Sequence, residues 1–243
     1  MAEAGVGRQE IDKIFLTHLH SDHILSVPDI LLTGWTSGRK TPLRVWGPSG
    51  TKKMMADLVK AFAFDIHIRR DVDEKFSKEG IMVEPNDIHE GIVYKHNGVT
   101  VTAFLVDHGP VKPAFGYRVD AGGHSVALSG DTRLSENLIK YAAGVDVLVH
   151  EVSTVSVETL MARGTTRQQA ENIIHHHTSA AETGIVFSRT KPRLAVYAHG
   201  GGSAAVEGAR KNYSGPIESA DDLTTILVGE TVEVQRRPRI GQN

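Results

Sequence analysis

The chain has 243 residues, 40% hydrophobic and 23% charged, enough for one large domain or two small ones with a sizeable core. A formal net charge of −2 argues against a general pull towards nucleic acid or an anionic membrane. There are no cysteines, which excludes disulfides, thiolate metal sites and cysteine nucleophiles. No signal-peptide pattern opens the chain and no apolar run approaches the ~20 residues of a membrane span, so a cytoplasmic protein is expected.

Lys13 to Thr17 is a short β-branched and apolar run, read as a buried strand ending at His18. PLRVWGP at 42–48 gives a second strand, closed by Gly47 and Pro48. Residues 50–65 carry apolar side chains at 54, 55, 58, 59 and 62, the spacing of an amphipathic helix with Thr51 as its N-cap. Further strands are expected at 99–108, 124–131, 144–151 and 193–200. Helices are expected at 135–144, 165–177 and 179–190, the last opening on a Ser179…Glu182 capping box. GGGSAAVEGAR at 200–210 reads as a loop. Residues 29–41 and 110–114 read as loops walling a pocket, with Trp35 either lining it or packed in the core. No repeat or linker interrupts the chain, so a single domain over 1–243 is expected, of α/β or α+β type.

His18-Leu19-His20-Ser21-Asp22-His23 places three histidines and an aspartate at a strand end, a crowd that serves no packing purpose. On an extended backbone the i, i+2 spacing points His18 and His20 the same way. Asp22 and His23 follow after a turn and can face a second point nearby. Neutral imidazole and carboxylate oxygen suit zinc, iron or manganese. Two ligands for each of two metals demand more downstream, and His108, Asp131 and His199 each follow an apolar strand. Equivalent ends of neighbouring strands converge in α/β proteins. His67, His89, His96 and His124 read as exposed.

THLHSDH, then the His of VDHGP, the Asp of SGDT and the His of YAHG, resembles the metallo-β-lactamase superfamily. FGYRV at 115–119 and His-Thr-Ser at 177–179 resemble its branch of ribonuclease Z and related arylsulfatase-type and phosphodiesterase-type hydrolases. The likeness runs from Ile11 to about Gly229. It implies an α/β fold, the αββα sandwich, here N-terminally shortened because family members carry more chain before the histidine motif. It implies that His18, His20 and His108 hold one metal, that Asp22, His23 and His199 hold the other, and that Asp131 bridges them. Two zinc ions are expected, iron and manganese sharing the same donors. His177 resembles the branch's proton donor and Glu151 the carboxylate that orients it, with Asp22 counted alongside them as catalytic. His175 and His176 are the alternatives to His177, which is favoured because Thr178-Ser179 follow it. His150, beside Glu151, is a candidate supporting residue.

Two metals roughly 3.5–4 Å apart share a water and hold it as hydroxide near neutral pH, so hydrolysis by metal-bound hydroxide is the expected reaction. Only 22 residues separate His108 from Asp131, too few for the tRNA-gripping arm of ribonuclease Z, and AHGGG departs from the family's His followed by Ser and an Arg-Tyr pair. With the slight acidity, these points favour a small ester substrate (phosphodiester, aryl sulfate, carboxylic ester or lactone) and argue against nucleic acid as a partner. The alternatives are ribonuclease Z-like tRNA 3′ processing, a β-lactamase, and a truncated metal-binding protein without catalysis. Absent N-terminal strands would uncover a sheet face, so a homodimer or larger assembly is expected, with no membrane partner.

Overall fold

A computed structural model describes residues 4–236, and the chain divides into two compact units after His89. In the first unit, β1 (Lys13–Phe15), β2 (Leu43–Gly47) and β3 (Val83–Asp87) form a parallel sheet in that order, with Ile14 opposite Val45 and Val45 opposite Pro85. Parallel neighbours require crossovers. The first crossover is α1 (Ser21–Ile24) and α2 (Ser26–Thr36); the second is α3 (Thr51–Ala61) and α4 (Ala63–His67), followed by a π-helical turn at Ile68–Val72. Leu31, Trp35, Leu43, Val45 and Met55 are fully buried together.

Two readings are corrected here. Residues 29–41 are not a pocket loop: most of them form α2, whose Leu31 and Trp35 face the core, and the Trp35 indole N–H donates to the Ser77 carbonyl at 2.8 Å. The N-cap of α3 is Gly50, not Thr51. Gly50 takes φ +104°, open to glycine, while the Thr51 hydroxyl turns back to the Pro48 carbonyl at 2.8 Å. Arg39, at the foot of α2, is buried, and its guanidinium donates to the carbonyls of Ile11, Ile30, Leu31 and Gly80. These bonds spare a buried cation its full desolvation cost.

The second unit is built on β4 (Gly91–His96), β5 (Val99–His108), β6 (Val111–Ala121), β7 (His124–Leu128), β8 (Val147–His150), β9 (Leu194–Tyr197) and β10 (Ile217–Ser219). These lie in the order β10-β9-β8-β7-β6-β5-β4, antiparallel from β4 to β7 and parallel from β7 to β10. Helix α5 (Glu136–Tyr141) joins β7 to β8. Helices α6 (Val157–Ala162), α7 (Arg167–His175) and α8 (Ala180–Thr190) join β8 to β9, and α9 (Ser203–Ala209) joins β9 to β10. A hairpin, β11 (Thr225–Val228) with β12 (Val232–Gln235), follows.

The period-2 alternation of strands sorts the two faces. Ala195 and Tyr197 of β9 enter the core beneath α5, α8 and α9, whereas Leu194 and Val196 pack with Ile226, Val228, Val232 and Val234 of the hairpin. Residues 203–209 are helical rather than loop, because small side chains there allow close approach to α8. A Cβ on Gly184 would lie 2.3 Å from the Ala209 carbonyl oxygen. Residues 111–114, also expected as loop, begin β6. Among the described residues, no helix is long and apolar enough to cross a membrane.

Candidate metal centre

In the first unit, the chain leaves β1 with the Leu16 N–H still bonded to the Trp46 carbonyl, bends at Thr17, and reaches His20, the extended N-cap of α1. His18 is buried, and its Nε2 lies 3.1 Å from His20 Nδ1. Asp22 and His23 occupy the first turn of α1, with Asp22 Oδ2 3.6 Å from His23 Nε2, and the His18 and His23 rings stand 4.2 Å apart. Two donors on one tetrahedral ion, each about 2.0–2.1 Å from it, sit about 3.3 Å apart. The His18–His20 spacing fits that edge.

In the second unit, strand direction gathers the remaining residues. β5 and β7 are both antiparallel to β6, and β8 and β9 are parallel to β7, so all four end on one edge of the sheet. His108 is the last residue of β5, and Asp131, Glu151 and His199 lie just beyond β7, β8 and β9. Ligand atoms of His108, Asp131 and His177 fall within 4.8 Å of one another, as do those of Glu151, His177 and His199. His199 Nδ1 is 3.3 Å from Asp131 Oδ1, again a tetrahedral-edge distance. His108 Nδ1 meets the His176 carbonyl at 3.0 Å. A carbonyl only accepts, so that nitrogen carries the proton and Nε2 keeps the lone pair a metal needs. The donor set and its spacings fit hard-to-borderline divalent cations.

Glu151 is the hub of this edge. Its Oε1 accepts the N–H groups of Thr178 at 2.8 Å and Thr132 at 3.3 Å, and its Oε2 lies 3.3 Å from His177 Nδ1. The Thr178 hydroxyl donates to the Thr132 carbonyl at 2.6 Å. One carboxylate and one hydroxyl thus tie the Asp131 loop to the His177 loop. The neighbouring straps are Val152 N–H to the His199 carbonyl and Ser153 N–H to the Thr178 carbonyl. Of the three-histidine run, His175 ends α7 exposed, His176 supplies the carbonyl to His108, and His177 alone meets Glu151 and Asp131. Burial pushes His176 below its ordinary pKa, and the positive charge of Arg133 adds to the shift. His150 is fully enclosed against Phe187, donates from Nδ1 to the Glu151 carbonyl, and is likewise held low by burial. His67, His89 and His96 are exposed, and His124 is half-buried beside Asp146. Thr132 and Thr178 stand in the SGDT and His-Thr-Ser motifs, but their role in joining the two loops escaped the sequence reading.

These features define a metal-dependent hydrolase of α/β fold. The Beta-lactamase superfamily domain matches residues 3–199. Ribonuclease Z of Mycobacterium bovis is 33% identical over 93% of this chain and 83% of its own. Among solved structures, the metallo-β-lactamase fold protein YhfI from Bacillus subtilis aligns with TM-score 0.64 and 17% identity, covering 88% of this chain and 77% of that one. The short form of human tRNase Z aligns with TM-score 0.58 and 15% identity, covering 98% and 83%. The chain belongs to the metallo-β-lactamase superfamily, in its ribonuclease Z branch.

This membership corrects the expectation of a small ester substrate and of no nucleic-acid partner. The relatives that match across nearly the whole chain carry the name of a ribonuclease. The physical reason is that a net charge of −2 averages the entire surface, whereas phosphate recognition depends on cations placed locally.

Proposed function

We propose that the protein is a ribonuclease Z-like endonuclease that hydrolyses a phosphodiester bond at the 3′ side of a tRNA precursor. The observation that carries this reading is the 33% identity to a ribonuclease Z over 93% of the chain. The buried carboxylate–imidazole pair Glu151–His177 supports it, as the arrangement a proton donor to an alkoxide leaving group requires.

We assign His18, His20 and His108 to one metal ion, Asp22, His23 and His199 to a second, Asp131 to both, and zinc as the metal. When bound, such a pair supplies a water of lowered pKa and a Lewis acid at the phosphoryl oxygen. The chain's own residues do the rest. His108 is held by the His176 carbonyl in the tautomer that presents Nε2. Glu151 keeps the His177 proton on Nδ1 and turns Nε2, on the far side of the ring, towards the cleft lined by His177 and His199. As the oxygen of a water that has given one proton to solvent bonds to phosphorus and the P–O3′ bond breaks, His177 delivers its Nε2 proton to the leaving 3′ oxygen and is reprotonated from solvent. One fragment then ends in a 3′-hydroxyl and the other begins with a 5′-phosphate.

The test compares a precursor tRNA with bis(p-nitrophenyl) phosphate, whose leaving group departs without a proton. His177→Ala should lower kcat on the RNA about 10²–10⁴-fold and leave the chromogenic diester far less affected. Equal losses on both substrates would remove His177 as the donor.

A further inference from the structure

The cleft beside His177 contains a cation that neither metal binding nor proton transfer uses. Arg133 follows Asp131-Thr132, and its backbone N–H donates to the Asp107 carbonyl at 2.7 Å, which fixes where its side chain starts. The side chain lines a cleft of about 270 Å³ with His175, His177, Ser179 and Glu182. Its Nε is buried with no hydrogen-bond acceptor among the described residues. Its ion-pair partner, Asp107, stands 3.8 Å from Nη1, beyond hydrogen-bond reach, with half its own side chain in solvent. Glu182, the other acid of the cleft, is engaged elsewhere: its Oε2 accepts the Ser179 N–H at 3.0 Å and the Ser179 hydroxyl at 2.6 Å. Gly109 leaves the guanidinium its space, because a Cβ there would lie 2.9 Å from Arg133 Nη2. The cleft therefore holds a guanidinium that hydrogen-bonds to neither nearby carboxylate, Asp107 or Glu182, and whose donors are open to an anionic ligand.

We propose that Arg133 contacts a backbone phosphate of the RNA substrate, one next to the scissile linkage rather than the scissile phosphate itself. A guanidinium presents a planar fork of donors matched to phosphate oxygens, and unlike an imidazole it stays charged throughout the working pH range. Its place in the same cleft as His177 puts this contact beside the reacting bond, where it sets the register of the strand. The inference rests on the RNA-cleaving reading above.

The test uses the full-length, metal-loaded protein as wild type, Arg133→Gln, Arg133→Lys and Asp107→Asn. KM is measured for a precursor tRNA, and Kd for mature tRNA by fluorescence anisotropy between 50 and 200 mM KCl. Arg133→Gln should raise KM and Kd about tenfold and lower the slope of log Kd against log salt by about one, the signature of one lost phosphate contact. Arg133→Lys should keep the slope, and Asp107→Asn, which removes the competing carboxylate, should tighten binding. The loss in kcat/KM for Arg133→Gln should be at least several-fold larger on tRNA than on bis(p-nitrophenyl) phosphate, which has no flanking phosphate. Unchanged KM, Kd and salt slope in Arg133→Gln, with a wild type that cleaves tRNA, would overturn the inference and leave the functional reading standing. A wild type that neither binds nor cleaves tRNA overturns the functional reading, and this inference with it.

Discussion

Glu151 Oε2 faces His177 Nδ1 at 3.3 Å, while the other oxygen of the same carboxylate is held by two backbone N–H groups. The pair is thereby built to fix one tautomer of one histidine. Glu151→Gln keeps an acceptor for the backbone but can turn an amide donor towards Nδ1, which favours the wrong tautomer. We expect kcat on a precursor tRNA to fall about 10²-fold or more with KM little changed. A variant whose KM rises while kcat holds would place Glu151 in substrate binding instead.

The Thr178 hydroxyl is fully buried and donates to the Thr132 carbonyl at 2.6 Å, joining the loops that carry His177 and Asp131. Thr178→Val preserves shape and deletes that donor, leaving a buried carbonyl short of a partner. The expected cost is about 1–3 kcal/mol in urea unfolding, and Thr178→Ser should recover most of it. If serine does no better than valine, the hydroxyl is not what holds the loops.

Burial holds His150 neutral, below the ordinary histidine range. The unfolded chain therefore binds a proton that the folded chain refuses. Stability from this residue is complete above pH ~6.5 and falls as pH drops below that, by up to about 1.4 kcal/mol per pH unit. His150→Asn keeps a donor for the Glu151 carbonyl without the titration. Its unfolding free energy should start lower at pH 7.5 but decline less steeply to pH 5 than that of the wild type. Parallel slopes in the two proteins would show that His150 is not the titrating group.

Gly200 takes φ +85°, and a Cβ there would lie 2.0 Å from the Val152 carbonyl oxygen. Val152 in turn donates its N–H to the His199 carbonyl at 2.8 Å. Gly200→Ala thus combines a left-handed conformation, costing roughly 1–2 kcal/mol, with a backbone clash beside a proposed metal ligand. Urea unfolding should show a loss greater than the conformational cost alone, and bound metal per chain, measured by elemental analysis, should fall. Full metal content in a destabilised variant would confine the effect to folding.

The closeness of the motif's side chains was legible because THLHSDH gathers them through local backbone geometry: a bend after β1 leading into a short helix. The strand-end positions of His108, Asp131 and His199 were legible because apolar runs announce buried strands. What escaped reading depends on contacts far apart in sequence. The Glu151 hub joins Thr132 and Thr178 across 46 positions, and nothing local shows that the two threonines meet. Residues 203–209 read as loop because glycine and alanine score poorly as amphipathic helix, yet small side chains are what lets α9 lie against α8. The substrate was misjudged from an average. Net charge says nothing of where Arg133 sits.

The most direct measurement of the central claim is cleavage mapping on an end-labelled precursor tRNA carrying a 3′ trailer, with zinc, with chelator, and with Asp131→Ala. The account predicts one cut at the 3′ side of the tRNA, leaving a 3′-hydroxyl on it and a 5′-phosphate on the trailer, abolished by chelator and by the substitution. An intact precursor under conditions where the wild-type protein holds its metal, or a cut that persists in Asp131→Ala, would contradict it.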